Sequence, residues 1–173
     1  KICVLGGGAW GKNHIKTLDK LGALGAIAEK NGDLLSKYKK QYPYVETFKS
    51  LDKSLENNFD GFIIATPAET HFKLAKEIIN NKKDLLVEKP LTLSIKESEL
   101  LVKLAKGNDV NLMVGHVLLF HPAIIKIKEL IDLGKIGKLQ YIYSNRLNLG
   151  KVRTEENVFW SLAPHDISIF QYY

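Results

Sequence analysis

The chain reads as an α/β protein on a doubly wound parallel sheet, and three observations carry that expectation. Short, nearly continuous apolar runs alternate with amphipathic stretches of helical spacing, the connections are brief, and a glycine cluster separates the first run from the first helix. Strands apolar on both faces need cover from both sides, which helical crossovers supply in a parallel sheet.

Ile2–Leu5 is the first strand, and Gly6, Gly7 and Gly8 end it. Trp10, Ile15, Leu18 and Leu21 then recur at helical spacing. Residues 24–29 form a second apolar run, and Leu34, Leu35, Tyr38 and Tyr42 mark a second helix. Residues 44–48 are a short strand, and Leu51 and Leu55 a brief helix. Residues 59–66 are a buried strand, from which Pro67 leads into a helix over about 70–80 with Phe72, Ala75, Ile78 and Ile79 facing inward. Residues 85–87 are the fifth strand. Ser94 and Glu97, three apart, form a capping box before a long helix, and residues 110–114 give a sixth strand.

The pattern then changes. One amphipathic helix over 122–133 ends at Gly134 and Gly137. Leu139, Tyr141, Tyr143, Asn145 and Leu147 alternate as a long strand, residues 149–160 read as a loop, and a helix starts at Pro164. A lone strand is not a domain. We therefore expect a first domain over 1–116, an incomplete second one over 117–173, and a longer parent protein.

Composition narrows the function. Of 173 residues, 45% are hydrophobic, enough for a sizeable core, and no apolar run reaches the ~20 residues of a membrane-spanning helix. The net charge of +6 comes from scattered lysines without interleaved aromatics, so nucleic acid is not an expected partner. The single cysteine, Cys3, sits in an apolar strand and leads us to expect a reducing, cytoplasmic setting. No histidines, cysteines or carboxylates stand at metal-ligand spacing, so no metal is expected.

Gly6-Gly7-Gly8-Ala9-Trp10-Gly11 is a G-x-G-x-x-G between a strand and a helix. The first glycine permits the turn, the second lets a pyrophosphate approach, and the third seats the helix on the strand. Gly6, Gly8, Ala9, Trp10 and Gly11 are thus candidate cofactor contacts in a Rossmann domain. Glu29, ending the second strand, is placed to accept ribose hydroxyls and to repel a 2′-phosphate, which favours NAD over NADP. Ala65-Thr66-Pro67 and Glu88-Lys89-Pro90 follow two more strands, on the edge where open parallel sheets bind ligands. A lysine there can donate to a hydroxyl and relay its proton.

These segments, with ATPAETH at 65–71, EKP at 88–90 and APHD at 163–166, together resemble the Gfo/Idh/MocA oxidoreductases. The resemblance implies a Rossmann domain followed by an α/β domain with a large open sheet, which commonly makes the oligomer contacts. It implies hydride transfer between a sugar or cyclitol carbinol and a nicotinamide cofactor, with Lys89 and His165 as the catalytic pair and the proton acceptor open between them. Thr66, Pro67, His71, Glu88 and Lys89 become cofactor contacts by the same resemblance. Many members carry an aspartate four residues before the histidine, where this chain has Ser161. The stretch 145–166 is similar to members acting on nucleotide-activated amino sugars, which implies oxidation of UDP-N-acetylglucosamine at C3. Arg146, Lys151 and Arg153 suit a diphosphate or carboxylate, Asn145 and Asn148 can read hydroxyls or an acetamido group, and Arg146 and Asn148 share a strand face. Lys89 and His165 would complete the substrate contacts. A free sugar or inositol as substrate, and a dinucleotide sensor without turnover, remain the alternatives.

Overall fold

A computed structural model describes residues 1–146 and 157–173, which divide into two compact units, Lys1–Gly115 and His116–Tyr173. The first unit carries β1 (Ile2–Leu5), α1 (Gly11–Lys20), β2 (Leu24–Ala28), α2 (Gly32–Gln41), β3 (Glu46–Phe48), α3 (Leu51–Leu55), β4 (Gly61–Ile64), α4 (His71–Asn80), β5 (Asp84–Val87), α5 (Ile95–Asn108) and β6 (Leu112–Val114). All strand pairs are parallel, in the order β3-β2-β1-β4-β5-β6. The order reverses between β1 and β4, the crevice where this architecture binds ligands.

Period-two alternation sends successive side chains into two cores. Cys3, Leu5, Phe62, Ile64, Leu85 and Val87 pack with Ala75, Ile78 and Ile79 of α4 and with Leu101 and Ala105 of α5. Val4, Ile27 and Ile63 point the other way, onto Ile15, Tyr38 and Tyr42. Each fully buried Ile or Phe contributes roughly 1.5–3 kcal/mol of apolar transfer. Caps set the helix starts. The Asn31 side chain accepts from the Leu34 N–H at 3.0 Å to open α2. At α5 the expected capping box does not form. Ser94 is the N-cap, but its hydroxyl makes no cap bond. The buried Thr92 hydroxyl instead donates to the Ser94 carbonyl at 2.6 Å and meets the Ser98 hydroxyl at 2.8 Å.

The second unit holds a 3-10 turn (Val117–Phe120), α6 (Pro122–Asp132) and α7 (Val158–Tyr172). Two expectations are corrected here. Residues 139–146 form no strand, and Tyr141 and Tyr143 are exposed. Alternation alone does not make a strand, because its N–H and C=O groups need a neighbouring strand, and the described residues offer none. The last helix begins at Val158, before Pro164, because Asn157 caps it by accepting from the Trp160 N–H at 3.1 Å. Pro164 is accommodated inside it.

Candidate active site

The carboxyl ends of five strands stop in register: Leu5 opposite Ala28 and Ile64, Ile64 opposite Val87, Val87 opposite Val114. The residue after each strand closes the ladder with its own N–H: Gly6 to Ala28, Glu29 to Phe48, Ala65 to Leu5, Glu88 to Ile64 and Gly115 to Val87, all at 2.8–3.0 Å. Gly6, Glu29, Ala65, Glu88 and Gly115 therefore stand side by side along one edge.

Gly6 and Gly11 are required by the backbone itself, whereas Gly8 faces open space. Gly6 has φ +89°, and a Cβ there would lie 2.7 Å from the Ala65 carbonyl oxygen. At Gly11 a Cβ would fall 1.9 Å from the Gly6 carbonyl oxygen, so only glycine lets α1 seat against the β1 turn. At Gly8 it would meet nothing within 4 Å. This is an exposed loop backbone at a helix start, where N–H groups and the positive dipole end face outward. Gly8, Ala9 and Trp10 are all exposed, and the helical bonding begins with the Lys12 N–H on the Gly8 carbonyl at 3.2 Å.

Glu29 is fixed by two main-chain donors, Gly7 N–H at 2.7 Å and Asn31 N–H at 2.8 Å, one to each carboxylate oxygen. A carboxylate offers about four lone-pair sites, so capacity for ribose hydroxyls is retained. The open face at Gly8, the helix terminus and this oriented carboxylate fit a dinucleotide.

Two residues of this edge escape a reading of the sequence. The Tyr38 hydroxyl donates to the Gly7 carbonyl at 2.6 Å, and its ring lies where a Gly7 Cβ would go, 2.3 Å away. The Gly7 peptide is thereby held on both sides, by Glu29 and by Tyr38. Burial, then Tyr42 and Glu29, push the phenol above its usual pKa, so it stays a donor. His14 is the other. Its Nε2 lies 2.6 Å from Glu88 Oε1, to which the Trp10 indole N–H also donates. Trp10, the N-cap of α1, and His14 are four apart and share a face, a spacing that could have flagged the pair, although only the fold brings Glu88 beneath them. Gly115 leaves room for this carboxylate, since a Cβ there would sit 3.1 Å from it.

Glu88 is 9% exposed, with Oε1 on Trp10 and His14 and Oε2 accepting from the Lys89 N–H at 3.3 Å. Lys89 is half-buried on the same edge, and Thr66 and Pro67 follow β4 beside it. His71, expected among the cofactor contacts, is instead 1% exposed, with both ring nitrogens against main-chain carbonyls. In the second unit, half-buried His165 lies on α7. The adjacent Asp166 accepts from the Ser144 hydroxyl at 2.7 Å and from Arg146 Nε. Burial works against the Asp166 charge, but these hydrogen bonds and the nearby positive charge outweigh it and hold the carboxyl below its usual range. Asn148, with Lys151 and Arg153, lies outside the described residues. Among the described residues no three metal-ligating side chains gather, and no helix is long and apolar enough to cross a membrane.

Residues 1–116 match the model of the Gfo/Idh/MocA group, an oxidoreductase family with an NAD-binding Rossmann fold. The chain is 27% identical over 167 residues to a UDP-N-acetylglucosamine 3-dehydrogenase of Acidithiobacillus ferrooxidans, covering 96% of this chain and 51% of that protein. It is 34% identical over 118 residues to a scyllo-inositol 2-dehydrogenase (NAD(+)) of Bacillus subtilis, covering 65% of this chain and 34% of the relative. The crystal structure of the WlbA dehydrogenase from Bordetella pertussis, in complex with NADH and UDP-GlcNAcA, superimposes with a TM-score of 0.73 at 25% identity, covering 78% of this chain and 43% of that one. The chain thus spans about half or less of the length of these relatives.

Proposed function

Because the chain belongs to the Gfo/Idh/MocA oxidoreductases, whose NAD-binding Rossmann fold its first 116 residues match, we propose that it is the front part of an NAD-dependent sugar dehydrogenase that oxidises C3 of UDP-N-acetylglucosamine. The observation that carries the reading is the sheet edge itself. An open glycine turn, an oriented Glu29 and a half-buried Lys89 stand along one line of strand ends. NAD, when bound, supplies the acceptor for the carbinol hydrogen. The chain's own residues do the rest. Glu29 accepts the adenosine ribose hydroxyls and disfavours a 2′-phosphate, the basis for NAD over NADP. Thr66, Pro67 and Lys89 line the edge on which the reacting end rests. Lys89, as the neutral amine, accepts the hydrogen bond and then the proton of the substrate hydroxyl, with His165 the alternative acceptor. Residues 117–173 begin the substrate-binding domain, in which Arg146 and Asn148 meet the nucleotide sugar and whose completed sheet joins copies into a homo-oligomer in the cytoplasm.

Likeness to a UDP-N-acetylglucosamine 3-dehydrogenase extends over 96% of the chain and likeness to a myo-inositol 2-dehydrogenase over 99%, so coverage keeps a polyol as the second reading. The nucleotide sugar is favoured by the basic residues Arg146, Lys151 and Arg153, which suit a diphosphate. The test is the full-length protein with NAD and a panel of nucleotide sugars, free sugars and inositols, products read by mass spectrometry. Loss of two hydrogens from UDP-N-acetylglucosamine is expected. Oxidation of a polyol alone overturns the substrate, and binding of NAD without any turnover overturns the enzyme.

A further inference from the structure

His71 opens α4 and is among the largest fully buried side chains of the first unit, at 1% exposure. Its Nδ1 lies 2.8 Å from the Pro90 carbonyl oxygen and its Nε2 2.9 Å from the Thr66 carbonyl oxygen. Both partners are pure acceptors, so the ring donates its N–H to one carbonyl and packs against the other. The two carbonyls belong to different loops. Thr66 stands two residues beyond Ile64, the end of β4, and Pro90 three beyond Val87, the end of β5, and these strand ends are paired neighbours. Pro67 and Pro90 have no N–H to give, so the loops have few main-chain donors with which to tie themselves together. The imidazole bridges them. On the β4 side the arrangement is braced further, by the Thr66 and Thr70 hydroxyls 2.6 Å apart and by the Thr70 hydroxyl donating to the Pro67 carbonyl at 2.7 Å.

We propose that His71 is a positioning residue that touches neither cofactor nor substrate: its buried ring, wedged between the two carbonyls and hydrogen-bonded to one of them, holds the Thr66–Pro67 loop against the Lys89–Pro90 loop and so sets where Lys89 stands. Lys89 is held from both directions, its N–H on Glu88 Oε2 and the next carbonyl on His71. This rests on the reading of Lys89 as the group at the reacting carbinol. A loss of alignment of about 1 Å costs on the order of a hundredfold in rate, whereas a residue that only bridges loops leaves cofactor affinity almost alone.

The experiment uses the full-length protein and three measurements. In the wild type, 15N-edited NMR should show a slowly exchanging ring N–H for His71. A ring N–H that exchanges as fast as that of a free imidazole overturns the bridge, whether or not any variant folds. In His71→Leu, kcat should fall about tenfold to a hundredfold while the NAD Kd, measured by calorimetry without turnover, changes less than about threefold. Wild-type kcat, or a Kd that rises in step with the loss of kcat, overturns the proposal. Lys89→Ala separates the two ideas. Full activity in that variant removes the role of Lys89 and with it the positioning claim, even where a protected ring N–H shows that the bridge exists. Lost activity in Lys89→Ala beside unchanged kcat in His71→Leu removes the positioning role alone.

Discussion

Two alanine substitutions three residues apart should damage different properties. At Gly8 a Cβ meets no atom within 4 Å, and the backbone is outside the left-handed region. Gly8→Ala should therefore fold at least as well as the wild type, gaining up to roughly 0.4–1 kcal/mol from a less flexible unfolded chain. The methyl would stand where a pyrophosphate approaches the backbone, so NAD affinity should fall about tenfold or more, about 1.4 kcal/mol. Gly11→Ala inverts this. Its Cβ would lie 1.9 Å from the Gly6 carbonyl oxygen and 2.9 Å from the Gly6 carbonyl carbon. The obstacle is backbone with no rotamer to swing away, so α1 must move off the β1 turn by about an ångström. Overpacking of this kind costs about 3 kcal/mol, roughly 10 °C in Tm for a unit of this size. Thermal melts without cofactor and titration calorimetry with NAD read the two quantities separately. Unchanged NAD affinity in Gly8→Ala would mean that no dinucleotide crosses this loop. An unchanged melt in Gly11→Ala would refute the seating of α1.

Other perturbations follow from the same geometry. Tyr38→Phe keeps the ring beside Gly7 but removes the 2.6 Å bond to its carbonyl, and urea denaturation should show a loss of about 1–2 kcal/mol; no loss would mean the hydroxyl does not hold the loop. The Asp166 carboxyl is held below its usual pKa in the folded chain, so its contribution is complete above the unfolded value near 4 and lost as pH falls through the lower folded one. Asp166→Asn should flatten the acid side of the stability profile, and identical acid limbs would contradict the Arg146 pairing. Burial pushes the Cys3 thiol from 9.0 up to about 12. The folded chain then keeps a proton that the unfolded chain releases, so stability falls as pH rises from about 9 toward 12, by up to ~1.4 kcal/mol per pH unit. Cys3→Ala should show a shallower alkaline decline, and an equally steep one would contradict the burial.

The first unit was legible because its signals are local. Apolar runs bounded by glycine or proline located all six strands, and the glycine spacing gave the turn after β1. Element ends were misjudged where a cap or a pairing partner decides them. Thr92 rather than Ser94 makes the bonds before α5, and Asn157 starts α7 ahead of Pro164. The alternation at 139–146 is genuine, but a strand is a relation between segments, and one segment shows only half of it. The same limit applied to the site. Position after a strand end singles out Glu29, Thr66, Glu88 and Lys89 as candidates. Contacts between residues distant in sequence, such as Tyr38 on Gly7, His14 on Glu88 and His71 on Pro90, arise only when the sheet order is known.

The most direct test follows one hydrogen. The full-length protein is incubated with NAD and UDP-N-acetylglucosamine carrying deuterium at C3, and the reduced cofactor is weighed by mass spectrometry. Deuterium in the cofactor, formed by the wild type and lost to background in Lys89→Ala, is the predicted result. Reduced cofactor without deuterium would place the chemistry at another carbon, and bound NAD with no reduction against this sugar or any polyol would contradict the assignment of a dehydrogenase.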